Sequence, residues 1–221
     1  MSANESGGLR ERKKIATREA LSAAALRLAL EHGPENVRVD DIAEAAGVSP
    51  RTYNNYFSSR EQAIVAAIAA ERALRIGAAV RARPADEPLA EAVVEAVLEQ
   101  YGAGLEQYGA GGEPTGDALA LITSAPTLRA EFVTTVTAIE QPLAAAIAAR
   151  TGSTDTLAVT VLAAAVSAAV RVAVERWLHP APQSPLVVPQ GSLTDLLRDA
   201  LAHIVPALRE VNEKNSGATP E

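Results

Sequence analysis

Residues 38–57 read Arg-Val-Asp-Asp-Ile-Ala-Glu-Ala-Ala-Gly-Val-Ser-Pro-Arg-Thr-Tyr-Asn-Asn-Tyr-Phe. The spacing predicts two short helices joined by a tight turn. Val39, Ile42, Ala43 and Ala46 fall at i, i+3, i+4 and i+7, the apolar face of a first helix. Asp40 and Asp41 lie in its first turn, where carboxylates meet the positive end of the dipole. Gly47 follows the last apolar residue, where a left-handed turn excludes most side chains, and Val48 can then point inward. Ser49 is placed to cap the second helix and Pro50 fits its first turn, where an N–H would lack an intrahelical partner. This second helix, over residues 49–57, exposes Arg51, Thr52, Asn54 and Asn55, whose side chains can bond base edges or phosphates. Two helices joined in this way deliver the second one to the DNA major groove.

Ser58-Ser59-Arg60-Glu61 places Ser58 three residues ahead of Glu61, a capping box that opens another helix. Arg60 lies in its first turn, close to where a DNA backbone would pass. Residues 10–70 resemble the DNA-binding domain of TetR-family transcriptional regulators. The resemblance is carried by Ile-Ala-Glu-Ala-Ala-Gly-Val-Ser at 42–49, Thr52, Tyr56-Phe57 and Ser-Arg-Glu at 59–61. It extends to a long helix over residues 11–31, with Leu21, Ala24, Ala25 and Leu28 as its buried face. Three positions depart from the family pattern. Asn54 stands where an aromatic residue is frequent, Arg60 where Lys is common, and Arg38 where Thr often touches phosphate. The resemblance implies a dimer that binds palindromic double-stranded DNA, with repression as the family default. It places Arg38, Ser49, Arg51, Thr52, Asn54, Asn55, Tyr56 and Arg60 at the DNA.

The chain of 221 residues is 48% hydrophobic and 3% aromatic, so its core must be aliphatic and Ala-rich. Ala costs least in a helix, and strand alternation is rare along the chain, which predicts an all-α protein. The absence of cysteine excludes a disulfide framework and thiolate chemistry. Net charge is −7 but unevenly spread. Residues 1–60 carry nine Lys/Arg and eight Asp/Glu, leaving −8 on the remainder. That asymmetry suits a DNA-binding head, with Arg10, Arg12, Lys13, Lys14 and Arg18 as its electrostatic foothold. Residues 1–14 are polar and charged, unlike a signal peptide. The apolar stretch 157–170 is broken by Thr160 and Ser167, stopped by Arg171, and reads as too short to span a bilayer. These features predict a cytoplasmic protein without a membrane span.

The expected organisation is an N-terminal helix-turn-helix domain (1–58, with 1–8 disordered), a C-terminal ligand-binding and dimerisation bundle (59–211) and a disordered tail (212–221). A helix over 59–83 links the two domains. Helices are predicted over 88–108, 117–124, 125–150 (kinked at Pro142), 154–178 and 191–211. Residues 109–116 form a Gly-rich loop, and Pro182, Pro185 and Pro189 an extended connector. The helix at 154–178 is apolar nearly all round. With Leu193, Leu196, Leu197, Leu201 and Ile204 of the last helix it suits a four-helix dimer bundle, although the same helices could fill a monomer core.

Stretches within 119–178, namely Ser-Ala-Pro-Thr-Leu-Arg at 124–129, Ala-Ala-Arg-Thr-Gly at 148–152 and Glu-Arg-Trp-Leu at 175–178, are similar to the C-terminal domain of the mycofactocin-associated TetR subgroup. That similarity implies an acyl-CoA-like ligand. A small apolar effector needs a cavity between helices with a few polar groups. Tyr101 and Tyr108 share a helix face, and Leu105, Ile122, Phe132 and Val136 could wall the space, with Trp177 at one end. Arg129 is a candidate for phosphate at the pocket mouth. Arg171 either binds an acidic ligand group or phosphate, pairs with Glu175 one turn on, or reaches along its stem to the surface. His32, His179 and His203 form no metal-ligand spacing, no nucleophile elbow is present, and neither cofactor nor metal nor catalysis is expected. The alternatives are a ligand-independent dimeric DNA-binding protein and a small-molecule carrier on the same fold.

Overall fold

The computed structural model describes residues 3–103, 121–122, 125–178 and 192–216. Among the described residues every regular element is helical, as the Ala-rich composition predicts. The chain divides into two compact units: Met1–Ile68 with Ala120–Glu131, and Ala69–Leu119 with Phe132–Glu221. The division falls ten residues beyond the expected boundary at Ser58, inside a helix rather than at its start.

The first unit is built on α1 (Ala3–His32), α2 (Val39–Ala45) and α3 (Pro50–Tyr53), followed by the start of α4 (Arg60–Ala82). Leu21, Ala24, Ala25 and Ala29 bury one face of α1, while Leu28 is half-buried. Residues 3–8, expected to be disordered, continue this helix. Extending a helix from a docked turn adds one hydrogen bond per residue fixed, so a polar leader can follow it. α1 packs on α2, and α2 on α3. The helix expected over 49–57 is shorter: after Tyr53 the N–H groups of Asn55 and Tyr56 donate to carbonyls only three residues back, at 3.1 and 2.8 Å, the tight winding common at a helix end.

In the second unit α5 (Leu89–Leu98) leads into a π turn at Glu99–Ala103. Residues expected to continue that helix, the Gly-rich loop, most of the 117–124 helix and the Pro-rich connector lie outside the described residues. α6 (Pro126–Thr135) belongs to both units. It is followed by a 3-10 turn at Val136–Ile139 and by α7 (Glu140–Thr151). The kink expected at Pro142 is therefore displaced upstream. Pro142 sits in the first turn of α7, where its missing N–H costs nothing, and the chain tightens before it. Gly152 ends α7 at φ 64°, a left-handed cap open to glycine.

α8 (Thr156–Leu178) packs against α7 and α9 (Leu193–Ala202). The single last helix expected at 191–211 is instead two, α9 and α10 (Val205–Ser216), so residues 212–216 of the expected tail are helical. Pro206 explains the break: it has no N–H for the carbonyl of Ala202, and its ring collides with that turn. By length and composition alone Pro126–Thr151 and Thr156–Leu178 are each long and apolar enough to cross a membrane; the second contains the stretch 157–170 and continues past Arg171. The 3-10 turn interrupts the first of these, and α8 is half buried as the core helix of this unit.

Two contacts fix α7 against α4. Gly77 of α4 lies so close to Pro142 that an added Cβ would stand 3.0 Å from its carbonyl oxygen. The Arg150 guanidinium donates to the carbonyls of Val80 (3.4 Å), Arg83 (3.0 Å), Glu87 (2.6 Å) and Pro84. These include orphan acceptors at the C-terminal end of α4, where a cation also complements the dipole. Beside them Arg83 grips Glu87 with two bonds of 2.5 and 2.6 Å, which hold the Glu87 carboxyl below the usual range. Arg150→Met is expected to destabilise the protein by about 2 kcal/mol in urea denaturation. Arg150→Lys should recover less than half of that loss, because a compact ammonium cannot span the same carbonyls. A change in Arg150→Met of less than about 0.5 kcal/mol would remove the capping role.

Candidate nucleic-acid interface and effector residues

The turn between α2 and α3 is set by backbone chemistry. Gly47 adopts φ 68°. The Val48 N–H donates to the Ala43 carbonyl at 2.9 Å and the Gly47 N–H to that of Glu44 at 2.9 Å. This pair of bonds is the Schellman motif, which satisfies the last carbonyls of α2. At the other end of α2 the Arg38 N–H donates to the Asp41 carboxylate at 3.2 Å. α3 then opens on Ser49, whose hydroxyl accepts from the Thr52 N–H at 3.1 Å and is hydrogen-bonded to the Thr52 hydroxyl at 2.9 Å.

α3 is held from beneath by side chains that the sequence reading did not assign to the site. Tyr53 is 1% exposed and its phenol donates to the Ser59 carbonyl at 2.7 Å. Its ring meets that of Phe57 at 5.7 Å between centroids. Burial, and then the negative charge of Glu61, push the Tyr53 phenol up to about 12. Arg18, expected among the phosphate footholds, instead donates to the Tyr56 carbonyl at 3.0 Å and stacks 4.5 Å over Phe57. The i, i+4 aromatic pair Tyr53–Phe57 was a visible signal for this anchor. Arg18 carried none that separates it from its basic neighbours.

Arg38, Ser49, Arg51, Asn54 and Asn55 are exposed, and Thr52 and Tyr56 half-buried. Ser49, Arg51, Thr52, Asn54, Asn55 and Tyr56 lie on or directly beside the turn of α3, and Arg38 stands at the start of α2. Arg60, expected at phosphate, also has partners within the chain. It donates to the carbonyls of Glu35 (3.0 Å) and Val37 (3.1 Å) and pairs with Glu61 at 2.8 Å, tying the start of α4 to the segment before α2. The capping of α4 also differs from the expected Ser58–Glu61 box. Ser59 accepts from the Gln62 N–H at 3.0 Å, and Gln62 reaches back to the Ser58 N–H at 2.8 Å. Glu61 is already engaged by Arg60, which leaves Gln62 as the returning acceptor.

The expected effector residues separate. Leu105 and Tyr108 lie outside the described residues. Ile122 is buried and Arg129 half-buried, both within the first unit. In the second unit Tyr101, Phe132, Val136 and Trp177 are all buried. Val136 belongs to the 3-10 turn, and its carbonyl accepts from buried Ser167 of α8 at 3.5 Å. Arg171 pairs with Glu175 at 3.3 Å, one of the structural readings considered for it. Tyr101 and Phe132 both lie against the guanidinium of Arg72, which the sequence reading passed over. Its signal was position: Ile68, Arg72, Ile76 and Val80 form one stripe at four-residue spacing, and all four are buried.

Tyr53 supplies a test of the anchor. Its folded-state affinity for the proton exceeds the unfolded one, so its stabilising effect is complete below about pH 10 and fades as pH rises towards 12. Tyr53→Phe is expected to cost about 1–2 kcal/mol at neutral pH and to remove that alkaline loss. A variant as stable as the parent, with the same alkaline profile, would show that the phenol holds nothing.

The family model for tetR-family bacterial regulatory proteins matches residues 21–68, and that for the MftR C-terminal domain matches residues 87–209. The HTH-type transcriptional regulator TcmR of Streptomyces glaucescens is 36% identical over 148 residues, which cover 66% of this chain and 65% of that protein. Among solved structures, RolR in complex with the ligand resorcinol aligns over 96% of this chain and 98% of its own, at 20% identity and a TM-score of 0.40. A tetR-family transcriptional regulator from Streptomyces coelicolor aligns over 93% and 90%, at 18% identity and a TM-score of 0.34. With one family model on the helix-turn-helix and an MftR-type model over more than half of its length, the chain belongs to the TetR family of bacterial regulatory proteins.

Proposed function

We propose that this protein is a homodimeric, ligand-responsive transcriptional regulator, a repressor released from a palindromic operator by a small apolar effector. The observation that carries this reading is the capped and anchored α3, which presents Arg51, Asn54 and Asn55 to solvent. Arg is suited to guanine and Asn to adenine in the major groove. Arg38, Ser49, Thr52 and Tyr56 flank them and take the backbone, fixing the docking angle. Arg60, which also holds the start of α4 through the Glu35 and Val37 carbonyls, completes the phosphate contacts. The reading involves no catalysis and places the protein in the cytoplasm.

Dimerisation is supported by α8. Leu157, Val161 and Val172 are 73%, 56% and 51% exposed, and with exposed Ala168 they fall on one side of the helix. Such a stripe is unusual on a monomer surface and suits a helix of a second copy. The MftR-type C-terminal domain makes acyl-CoA-like compounds the first effectors to try, with Tyr101, Phe132, Val136 and Trp177 on the walls. An effector acts only if it binds the DNA-incompetent state more tightly.

Fluorescence anisotropy on a duplex from upstream of the protein's own gene, with and without long-chain acyl-CoA, tests the whole scheme. Tight, salt-sensitive binding is expected, and its absence on any selected duplex would end the regulator reading. Asn54→Ala should cost about 1–3 kcal/mol on the preferred site and relax one base pair. Equal loss on random DNA would contradict base reading. Val161→Glu should convert the dimer to monomer in sedimentation and weaken operator binding by about 100-fold or more. An unchanged dimer would place the interface elsewhere.

A further inference from the structure

Arg72 is 8% exposed on the inner face of α4. Its guanidinium carbon stands 4.8 Å from the centroid of the Tyr101 ring and 5.2 Å from that of Phe132. Tyr101 comes from the π turn after α5 and Phe132 from α6. An aliphatic residue would fill the same volume without the cost of taking a charge out of water. With the cation over ring faces, hydrogen bonding is left to the in-plane N–H groups, which match a planar acid. Burial raises the Tyr101 phenol, which stays neutral and keeps its proton for donation while Arg72 bonds its oxygen.

We propose that Arg72 and Tyr101 are the acid-recognition end of the effector site, receiving the carboxylate, sulfonate or phenolate of a small organic acid whose apolar body lies against Phe132. This rests on the reading above that a small effector binds the second unit, and it replaces the acyl-CoA-like class named there by a small organic acid. Acceptors that the chain itself gives Arg72 in the effector-free state are exchanged for the oxygens of the acid. A cation this deep selects a ligand that enters acid first. An acyl-CoA carries its charges at the opposite end from its acyl tip, so it would leave this pair of donors unused.

Anilinonaphthalene sulfonate and N-phenylnaphthylamine share an aromatic body and differ in the sulfonate. In fluorescence titrations of the full chain the anionic probe is expected to bind about tenfold or more tighter than the neutral one. Arg72→Met should erase that preference while leaving the neutral probe within about twofold of wild type, and Arg72→Lys should keep part of it. Circular dichroism reports whether Arg72→Met folds. If it does not, Tyr101→Phe, which keeps the ring and removes the second donor, is expected to lower affinity for the anionic probe alone by about fivefold. Equal affinity of the two probes for the wild type, or parallel loss of both in a folded variant, overturns the acid assignment and leaves the effector reading standing. Binding of neither probe overturns the effector reading and the acid assignment together.

Discussion

A helix of one turn cannot hold itself. α3 spans only Pro50–Tyr53, and nucleating so short a segment costs more than its internal hydrogen bonds return. Everything that makes it usable comes from outside. The Gly47 turn delivers it, the Ser49 hydroxyl stops its first N–H groups from fraying, and Tyr53 and Phe57 sink beneath it. The Arg18 guanidinium then closes over Phe57 and bonds the Tyr56 carbonyl. The polar residues on the outer surface are therefore carried by a turn that is held at its start, its end and its underside.

Two further arginine arrangements among the described residues contrast with each other. Arg150 and Arg60 satisfy backbone carbonyls where helices begin or end, a task for a planar fork with several donors. Arg72 lies instead among aromatic rings in an aliphatic core. The first use replaces missing backbone partners. The second sets a planar cation against the ring faces of Tyr101 and Phe132, contacts that Leu or Met could not reproduce.

Most of the DNA-binding head was legible from the sequence, because its signals are local. A glycine after an apolar face, a capping serine and a proline at the first helical position each act within a few residues, and each did so here. The C-terminal unit was legible as helices but less so in its breaks. Pro142 was read as a kink although it starts a helix, and Pro206 divided what read as one helix. In both cases the position of the proline relative to the neighbouring turn decides, and that depends on tertiary packing. The roles of Arg18, Arg60 and Arg72 were not legible for a related reason. A charged residue looks solvated until its partners, here separated by tens of residues in the chain, are brought beside it. Of the residues expected to line an effector site, Leu105 and Tyr108 lie outside the described residues, and Ile122 and Arg129 belong to a different unit from Tyr101 and Phe132.

The chain contains a single tryptophan, Trp177, buried near the end of α8 in the second unit. Its emission is thus a private optical channel. Intrinsic fluorescence excited at the indole band reports the helices that house Trp177 and is silent about α1–α3. Tyrosine and helical circular dichroism report both units. Recording the channels together separates the melting of one unit from that of the other without any label, and a quenching ligand would reveal itself only by approaching α8.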